Sequence, residues 1–136
     1  MPTKQTVRKA KQELREGKSP KTAAGEFVHE EIEHVRQGKH GARSPQQAIA
    51  IGLSEARRAG IPVPPKKNAS AATKKKAERE NRKGRSSAKK TSSRRSKARV
   101  QALKREPKNT TSHAALSRHA KAAAKRRRST SSRKAA

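Results

Sequence analysis

Apolar side chains recur at helical spacing near the start of the chain. Val7, Ala10 and Leu14 lie at positions i, i+3 and i+7, which predicts a first helix over residues 3–16. Gly17 follows directly, and a glycine just after the last helical turn is a typical helix stop. Polar and charged residues fill the positions between, so one face of this helix should be solvent-exposed.

A second helix is predicted between Ser19 and Gly38. Ser19 suits the N-cap and Pro20 suits the first helical position. Its apolar residues fall on one stripe, formed by Ala24, Phe27, Val28, Ile32 and Val35. Gly25 interrupts this pattern and costs about 1 kcal/mol relative to Ala, so we expect regular helix from about Glu26 onward.

A third helix is predicted over residues 44–59. It opens with Ser-Pro-Gln-Gln, which is a capping-box pattern, and Gly60 follows its end. The predicted buried face consists of Ile49, Gly52, Leu53 and Ala56, with Ala48 at its edge. The small residues on that face allow a close approach of another helix. We expect Ile61 and Val63 to close the core before the prolines that follow.

The fold class predicted from these patterns is all-α, because no segment shows the alternating apolar pattern of a strand. We divide the chain into a small three-helix N-terminal domain, residues 1–65, and a disordered, helix-prone polycationic tail, residues 66–136. The large apolar residues of the tail are only Val100, Leu103 and Leu116. A segment with so little apolar surface cannot offset its ordering entropy. Helix-capable stretches in it lie at 72–83, 93–106 and 112–128.

Charge divides the chain in the same way. Residues 1–65 hold 12 basic and 7 acidic residues, whereas residues 66–136 hold 26 basic and 3 acidic residues, a net charge of +23. Self-repulsion should keep such a tail extended until a polyanion neutralises it. Blocks of like charge are commonly interaction tails, and double-stranded DNA is a very dense polyanion. The predicted partner is therefore nucleic acid, most of all double-stranded DNA, bound or condensed without sequence specificity.

We assign the nucleic-acid contacts to clustered cations. They are Lys39, Arg43, Lys74, Lys75, Lys76, Arg94, Arg95, Lys104, Arg105, Lys125, Arg126, Arg127 and Arg128. Arg43 stands just before a capped helix start, where free backbone N–H groups attract anions, and Lys39 could join it there. The simpler interpretation is a well-made helix start beside solvated cations. A third interpretation is a helix-turn-helix in which Gln46 and Gln47 would read base edges, although the loop before them is longer than usual.

Catalytic and metal chemistry are not indicated. Two Glu-x-x-His spacings occur in the second helix, but His29 and His34 are five residues apart and do not share a helical face. The chain contains no Cys, and no Gly-rich phosphate loop follows a strand. We therefore predict no enzyme activity, no catalytic residue, no cofactor, no metal site and no small-molecule substrate. The acidic face of the second helix is better interpreted as a docking surface for basic segments.

Location and partners follow from what the chain lacks. The longest apolar run, residues 48–53, is far too short to cross a membrane, and the first residues do not resemble a secretory signal. We expect a cytoplasmic, nucleoid-associated protein without membrane contact. The N-terminal core is small enough that self-association could help to stabilise it. Two alternatives stay open: a ribosome- or RNA-associated basic protein, and an adaptor that recruits a protein through its acidic second helix.

The segment at 44–60, SPQQAIAIGLSEARRAG, resembles a family of small, highly basic bacterial proteins of unknown function. That family shares an A-I-A-I-x-L-S-x-A-R-x-A-G helix. The segment AGEFVHEEIEHVRQGKHGAR at 24–43 and the ALKRE segment at 102–106 are similar to other parts of it. The resemblance implies a bacterial cytosolic protein but no activity, cofactor or functional residue. The tail also resembles linker-histone tails, in composition only.

Overall fold

The computed structural model describes residues 2–86 and 92–135, and within these ranges it contains six helices and no strand. The predicted all-α fold class is confirmed. The helices are α1 (Lys4–Arg15), α2 (Pro20–Arg36), α3 (Pro45–Arg58), α4 (Ala71–Arg85), α5 (Ser93–Lys104) and α6 (His113–Ala135).

The ends of the first three helices follow the sequence signals closely. The hydroxyls of Thr3, Ser19 and Ser44 each cap a helix. Each accepts a hydrogen bond from the backbone N–H three residues later, at 3.2 Å. Gly17, Gly38 and Gly60 follow α1, α2 and α3 with positive φ, as expected of helix stops.

The expectation that the second helix becomes regular only near Glu26 is wrong. The helix α2 begins at Pro20 and continues through Gly25 without a break. Ala23 and Ala24 are both fully buried in the core, so packing stabilises this first part of α2 and offsets the low helix propensity of Gly25.

The main core lies where α1, α2 and α3 meet. Its buried members are Ala10, Ala23, Ala24, Phe27, Ala56, Ile61 and Val63, with Val7, Leu14, Leu53 and Ala59 packed against them. Ile61 and Val63 thus close the core as predicted. Gly52 brings α3 very near α2, since a Cβ there would lie 2.7 Å from the Cα of Val28.

The predicted buried face of the third helix needs correction. Ala48, expected at the edge, is fully buried, whereas Ile49 and Leu53 are only half-buried. The reason is a second small cluster in which Ala48 meets Val35 and Ala42. Ala42 belongs to the loop after α2, so this rotation of the buried face depends on where that loop lies.

The largest difference from the sequence-based expectation concerns the tail, which is helical rather than disordered in the described ranges. The helix α4 packs against α3 and buries Ala77 and Glu80. The side-chain amide of Asn81 donates a hydrogen bond to the carbonyl of Val63 at 3.1 Å. Arg57 of α3 donates to the same carbonyl at 3.0 Å. Shared polar contacts therefore hold α4 on the N-terminal helices, which a count of net charge does not reveal.

The last turn of α5 and the segment between α5 and α6 dock on the loop that joins α2 to α3. The N–H of Gly41 donates to the carbonyl of Leu103 at 2.8 Å, and the N–H of Ala42 donates to the carbonyl of Pro107 at 2.9 Å. The two backbones run so close together that a Cβ on Gly41 would overlap with the carbonyl of Glu106. Only glycine fits at this approach.

Two threonines extend the same contact. The hydroxyl of Thr110 donates to the carbonyl of Ala42 at 2.8 Å. Thr111 is fully buried, and its carbonyl accepts the Nε–H of Arg36 at 2.9 Å. Because α6 begins at His113, directly after these threonines, this docking fixes the direction of α6.

The helices α5 and α6 differ from α4 because neither buries a residue. They correspond to the predicted helical stretches at 93–106 and 112–128. The helix α6 continues to Ala135, well past the predicted end. The hydroxyls of Ser129 and Thr130 donate to the carbonyl of Arg126 at 2.9 Å, and these bonds lie in the continued part.

Candidate nucleic-acid interface

The first turn of α3 is capped by two reciprocal hydrogen bonds, in a variant of the capping box in which Gln47 accepts from Arg43 rather than from the N–H of the N-cap Ser44. The N–H of Gln47 donates to the Ser44 hydroxyl at 3.2 Å, and the N–H of Arg43 donates to Gln47 Oε1 at 2.6 Å. Pro45 occupies the first helical position and has no N–H to satisfy. The positive end of the helix dipole remains at this turn, where it favours an anion.

A cleft of about 420 Å³ opens against this helix start. Arg43, Ser44 and Gln46 line one wall, and Arg118 and Arg126 of α6 line the opposite wall. Three arginines therefore line the same space. Guanidinium groups bind phosphate with paired hydrogen bonds, so the cleft combines two features suited to a phosphate group.

Arg43 is available for such a contact. Its side chain is 78% exposed, and its Nη2 lies 4.0 Å from Glu106 Oε1, at the outer limit of an ion pair. An exposed pair at that distance contributes little to stability. Arg43 can therefore turn toward an anion in the cleft at little cost.

Arg118 and His119 were missed by the sequence-based assignment. The signal was present in the spacing, because Arg118, Ala122 and Arg126 lie at i, i+4 and i+8 and so share one face of α6. The sequence does not show that this face meets the start of α3. Nδ1 of His119 is buried and has no hydrogen-bond partner among the described residues, so it is a further polar atom in the cleft wall.

Lys39, predicted to share the anion site with Arg43, is exposed but does not line the cleft. It lies on the loop after α2, near His34, whose pKa is lowered by burial and further by the charge of Lys39. The structure thus replaces Lys39 with the α6 arginines as the neighbours of Arg43.

The other predicted contacts lie on α4, α5 and α6 and directly after α5. Lys74 is half-buried. The others are exposed, namely Lys75, Lys76, Arg94, Arg95, Lys104, Arg105, Lys125, Arg126, Arg127 and Arg128. Consecutive residues point about 100° apart around a helix, so each run spreads charge around the helix rather than along one face. Arg126 also lines a second cleft, of about 450 Å³, together with Arg127 and Lys134.

Most cations of this set lack an acidic partner. Among the described residues, Arg43 is the one member of the predicted set within 4.0 Å of a carboxylate. Carboxylates are instead paired with cations outside the set, as in Glu13–Lys18, Glu26–Lys9, Glu33–Arg36 and Glu80–Arg57. The positive charge of the tail is therefore not neutralised within the fold.

The helix-turn-helix interpretation is disfavoured by this geometry. The side chain of Gln47 is engaged in the cap, and Gln46 faces the cleft that α6 closes from the other side. A recognition helix needs open access to the major groove at its N-terminal end. Here α6 and the segment before it occupy that space.

Comparison with known proteins gives one match. Residues 3–67 match the model of a family of unknown function (DUF6496). The resemblance to a family of unknown function is thus confirmed over α1, α2 and α3, and the match ends before α4. No curated protein and no solved structure is matched. None of the helices in the described ranges is long and apolar enough to cross a membrane.

Proposed function

We propose that this protein binds double-stranded DNA without reading its sequence, as a cytoplasmic, nucleoid-associated protein. The observation that supports this most is the state of the cations assigned to nucleic acid after residue 65. They are exposed, apart from the half-buried Lys74, and none of them lies within 4.0 Å of a carboxylate among the described residues. The net charge of the whole chain is +28. Each cation that meets a phosphate releases condensed counterions, which favours binding whatever the base sequence.

The cleft between α3 and α6 gives this binding a fixed point. A backbone phosphate placed there would face Arg43, Arg118 and Arg126 and the open end of α3. Such a contact positions the duplex but carries no sequence information. The cations of α4 and α5 and the end of α6 would add further phosphate contacts around it.

Duplex is favoured over single strands by the lack of stacking groups. Phe27 is the sole aromatic residue of the chain, and it is fully buried in the core. Binding of single strands commonly uses aromatic side chains on which bases stack. This protein must therefore bind through its charges, which suits a regular phosphate backbone.

The two-part organisation gives the halves different roles in this proposal. The three-helix part, residues 1–65, supplies the helix start and Arg43, while residues 66–136 supply most of the affinity. Because α5 and α6 bury no residue, like-charge repulsion opposes them in free solution. The helices α5 and α6 should therefore gain helix content when DNA neutralises their cations.

The adaptor alternative is weakened by where the acidic side chains of α2 point. Glu26 pairs with Lys9, Glu33 pairs with Arg36, and Glu30 accepts the N–H of Thr3 at 3.0 Å. Glu31 is buried. The acidic face of α2 is therefore used inside the protein.

The test is a salt series with the full chain. Fluorescence anisotropy would measure its affinity for two duplexes of unrelated sequence, for a single strand and for a folded RNA, at equal ionic strength. If about ten phosphates are neutralised, log K should fall against log[salt] with a slope of about −9 for both duplexes alike. A slope near zero, or a strong preference for one duplex sequence, would overturn the proposal. Tighter binding to the folded RNA would favour the ribosome- or RNA-associated alternative instead.

A further inference from the structure

Three potential metal ligands meet near the end of α2, on the helical face that also carries the buried Phe27 and Val35. Glu31 and His34 lie one turn apart on α2, and His40 comes from the loop that follows. One ligand atom of each lies within 4.8 Å of the others. The side chains of Glu31, His34 and His40 are only 2%, 14% and 15% exposed. They form a half-closed site rather than a surface cluster.

The hydrogen bonding of His40 shows what this site lacks. His40 Nδ1 lies 2.9 Å from the carbonyl of Gly41, so this nitrogen carries the proton and donates it. His40 Nε2 lies 3.1 Å from Glu31 Oε1. That carboxylate oxygen is buried and meets no donor in hydrogen-bond geometry among the described residues. A buried carboxylate oxygen and an imidazole nitrogen thus lie side by side, where one metal ion could contact both.

We propose that Glu31, His34 and His40 bind a divalent transition-metal ion of the zinc class. Two imidazole nitrogens with one carboxylate are a common zinc ligand set, with water in the fourth position. Zinc bonds of about 2.0–2.2 Å place neighbouring ligand atoms roughly 3.3–3.5 Å apart. The distance between His40 Nε2 and Glu31 Oε1 is close to that value, and His34 Nδ1 lies 3.8 Å from Glu31 Oε2.

The surroundings also resemble those of a metal site. A ligating histidine usually donates its second N–H to a carbonyl or a carboxylate, which fixes the ring. His40 does so to the carbonyl of Gly41, and His34 Nε2 lies 3.6 Å from Glu30 Oε1. Burial raises the pKa of Glu31 and lowers the pKa of His34, as desolvation of a carboxylate and of an imidazole should, which agrees with the low exposure of both side chains.

The role that follows is structural. A metal held by α2 and by His40 fixes the loop on which the tail docks. Gly41 links the two, because its carbonyl accepts from His40 while its N–H donates to the carbonyl of Leu103. Metal binding should therefore stabilise both the loop and the docked segment between α5 and α6.

The first experiment uses the full chain after removal of metal by a chelator, without nucleic acid. Calorimetry should show one saturable Zn²⁺ site per chain. Co²⁺ in place of Zn²⁺ should give the visible absorption bands of a four-coordinate site. At a free Zn²⁺ concentration about 100 times Kd, Tm should rise by roughly 10 °C. Absence of saturable binding would overturn the proposal and would leave the DNA-binding proposal untouched.

Variants test the ligand set. His40→Gln and His34→Gln should each weaken Zn²⁺ binding at least about 10-fold, because even second-shell changes reach that size. His29→Gln is the matched control, since His29 is an exposed histidine of α2 outside the cluster. Glu31→Gln keeps the shape of the side chain and should abolish the Tm rise while retaining the far-UV circular dichroism of the metal-free chain. Binding equal to wild type in all three cluster variants would overturn the assignment.

Discussion

Glu80 Oε2 of α4 lies 3.5 Å from Arg57 Nη1 of α3, and both side chains are largely buried, at 5% and 12% exposure. Arg58 Nη2 lies 3.6 Å from the other oxygen of the same carboxylate. Neither carboxylate oxygen has a hydrogen-bond partner in the described residues, so charge rather than hydrogen bonding holds the group. Glu80 is one of three acidic residues after position 65, and it joins the tail to the family-matched part.

Glu80→Ala should therefore destabilise the protein strongly. Removing one partner of a buried pair leaves the other charge buried and uncompensated, at a cost of about 3–5 kcal/mol. Urea unfolding of the full chain would measure this. Glu78→Ala is the matched control, since Glu78 is an exposed acidic residue on the same helix and its loss should change stability by less than about 0.5 kcal/mol. Equal effects of the two changes would contradict the role of Glu80 in holding α4.

Gly41→Ala should release the segment between α5 and α6. The added Cβ would overlap with the carbonyl of Glu106, so the two backbones must separate. Hydrogen exchange at the amides of positions 41 and 42 should become faster, because these amides donate to the carbonyls of Leu103 and Pro107. Gly25→Ala is the control: Gly25 lies within α2 with open space around it. That change should stabilise the protein by about 0.4–1 kcal/mol. Unchanged exchange in Gly41→Ala would show that the contact does not persist in solution.

The cations at 125–128 should contribute more to DNA affinity than the same number elsewhere. Changing Lys125, Arg126, Arg127 and Arg128 to Gln should reduce the salt slope by about 3–4 units, if each neutralises a phosphate. The matched control removes the same charge from α1, by changing the exposed residues Lys4, Arg8, Lys11 and Arg15 to Gln. The slope for duplex DNA would be measured for both. Equal reductions would indicate binding by net charge alone, without a preferred surface.

The start of α3 allows binding and stability to be separated. Arg43→Ala should lower the salt slope by about one unit on all DNA sequences alike, and it should leave Tm nearly unchanged because Arg43 is exposed. Ser44→Ala should cost about 1 kcal/mol of stability through loss of the cap to Gln47. If Arg43→Ala leaves both affinity and slope at the wild-type values, the Arg-Ser-Pro pattern is only a helix start.

Helix content should rise when duplex DNA is added at low salt. The helices α5 and α6 bury no residue, so neutralising their cations removes the main force that opposes them. Far-UV circular dichroism of the full chain during titration would measure the gain, and the four α1 substitutions above should not reduce it. A spectrum that stays constant to saturation would show that these helices are already complete, or that the tail binds as an extended chain.

The sequence determined the local structure of the N-terminal part. Helix periodicity, the Ser caps and the glycine stops gave α1, α3 and the end of α2 within one or two residues, because these signals act between residues close in the chain. The regular start of α2 was placed near Glu26 instead of Pro20, because packing of Ala23 and Ala24 outweighs the propensity of Gly25. Its helix-capable stretches also corresponded to α4, α5 and α6. The charge asymmetry is likewise a property of the sequence alone, and it is what supports the proposed partner.

Only the tertiary structure decided which distant residues meet. It brought Glu80 to Arg57, Arg118 to the start of α3, and His40 to Glu31 and His34. The sequence showed His29 and His34 on different faces and gave no reason to include a loop histidine. Each of these contacts depends on a loop or segment whose path is set by packing and backbone hydrogen bonds far along the chain. Periodicity and composition carry no information on that path, since they describe single elements rather than how elements dock.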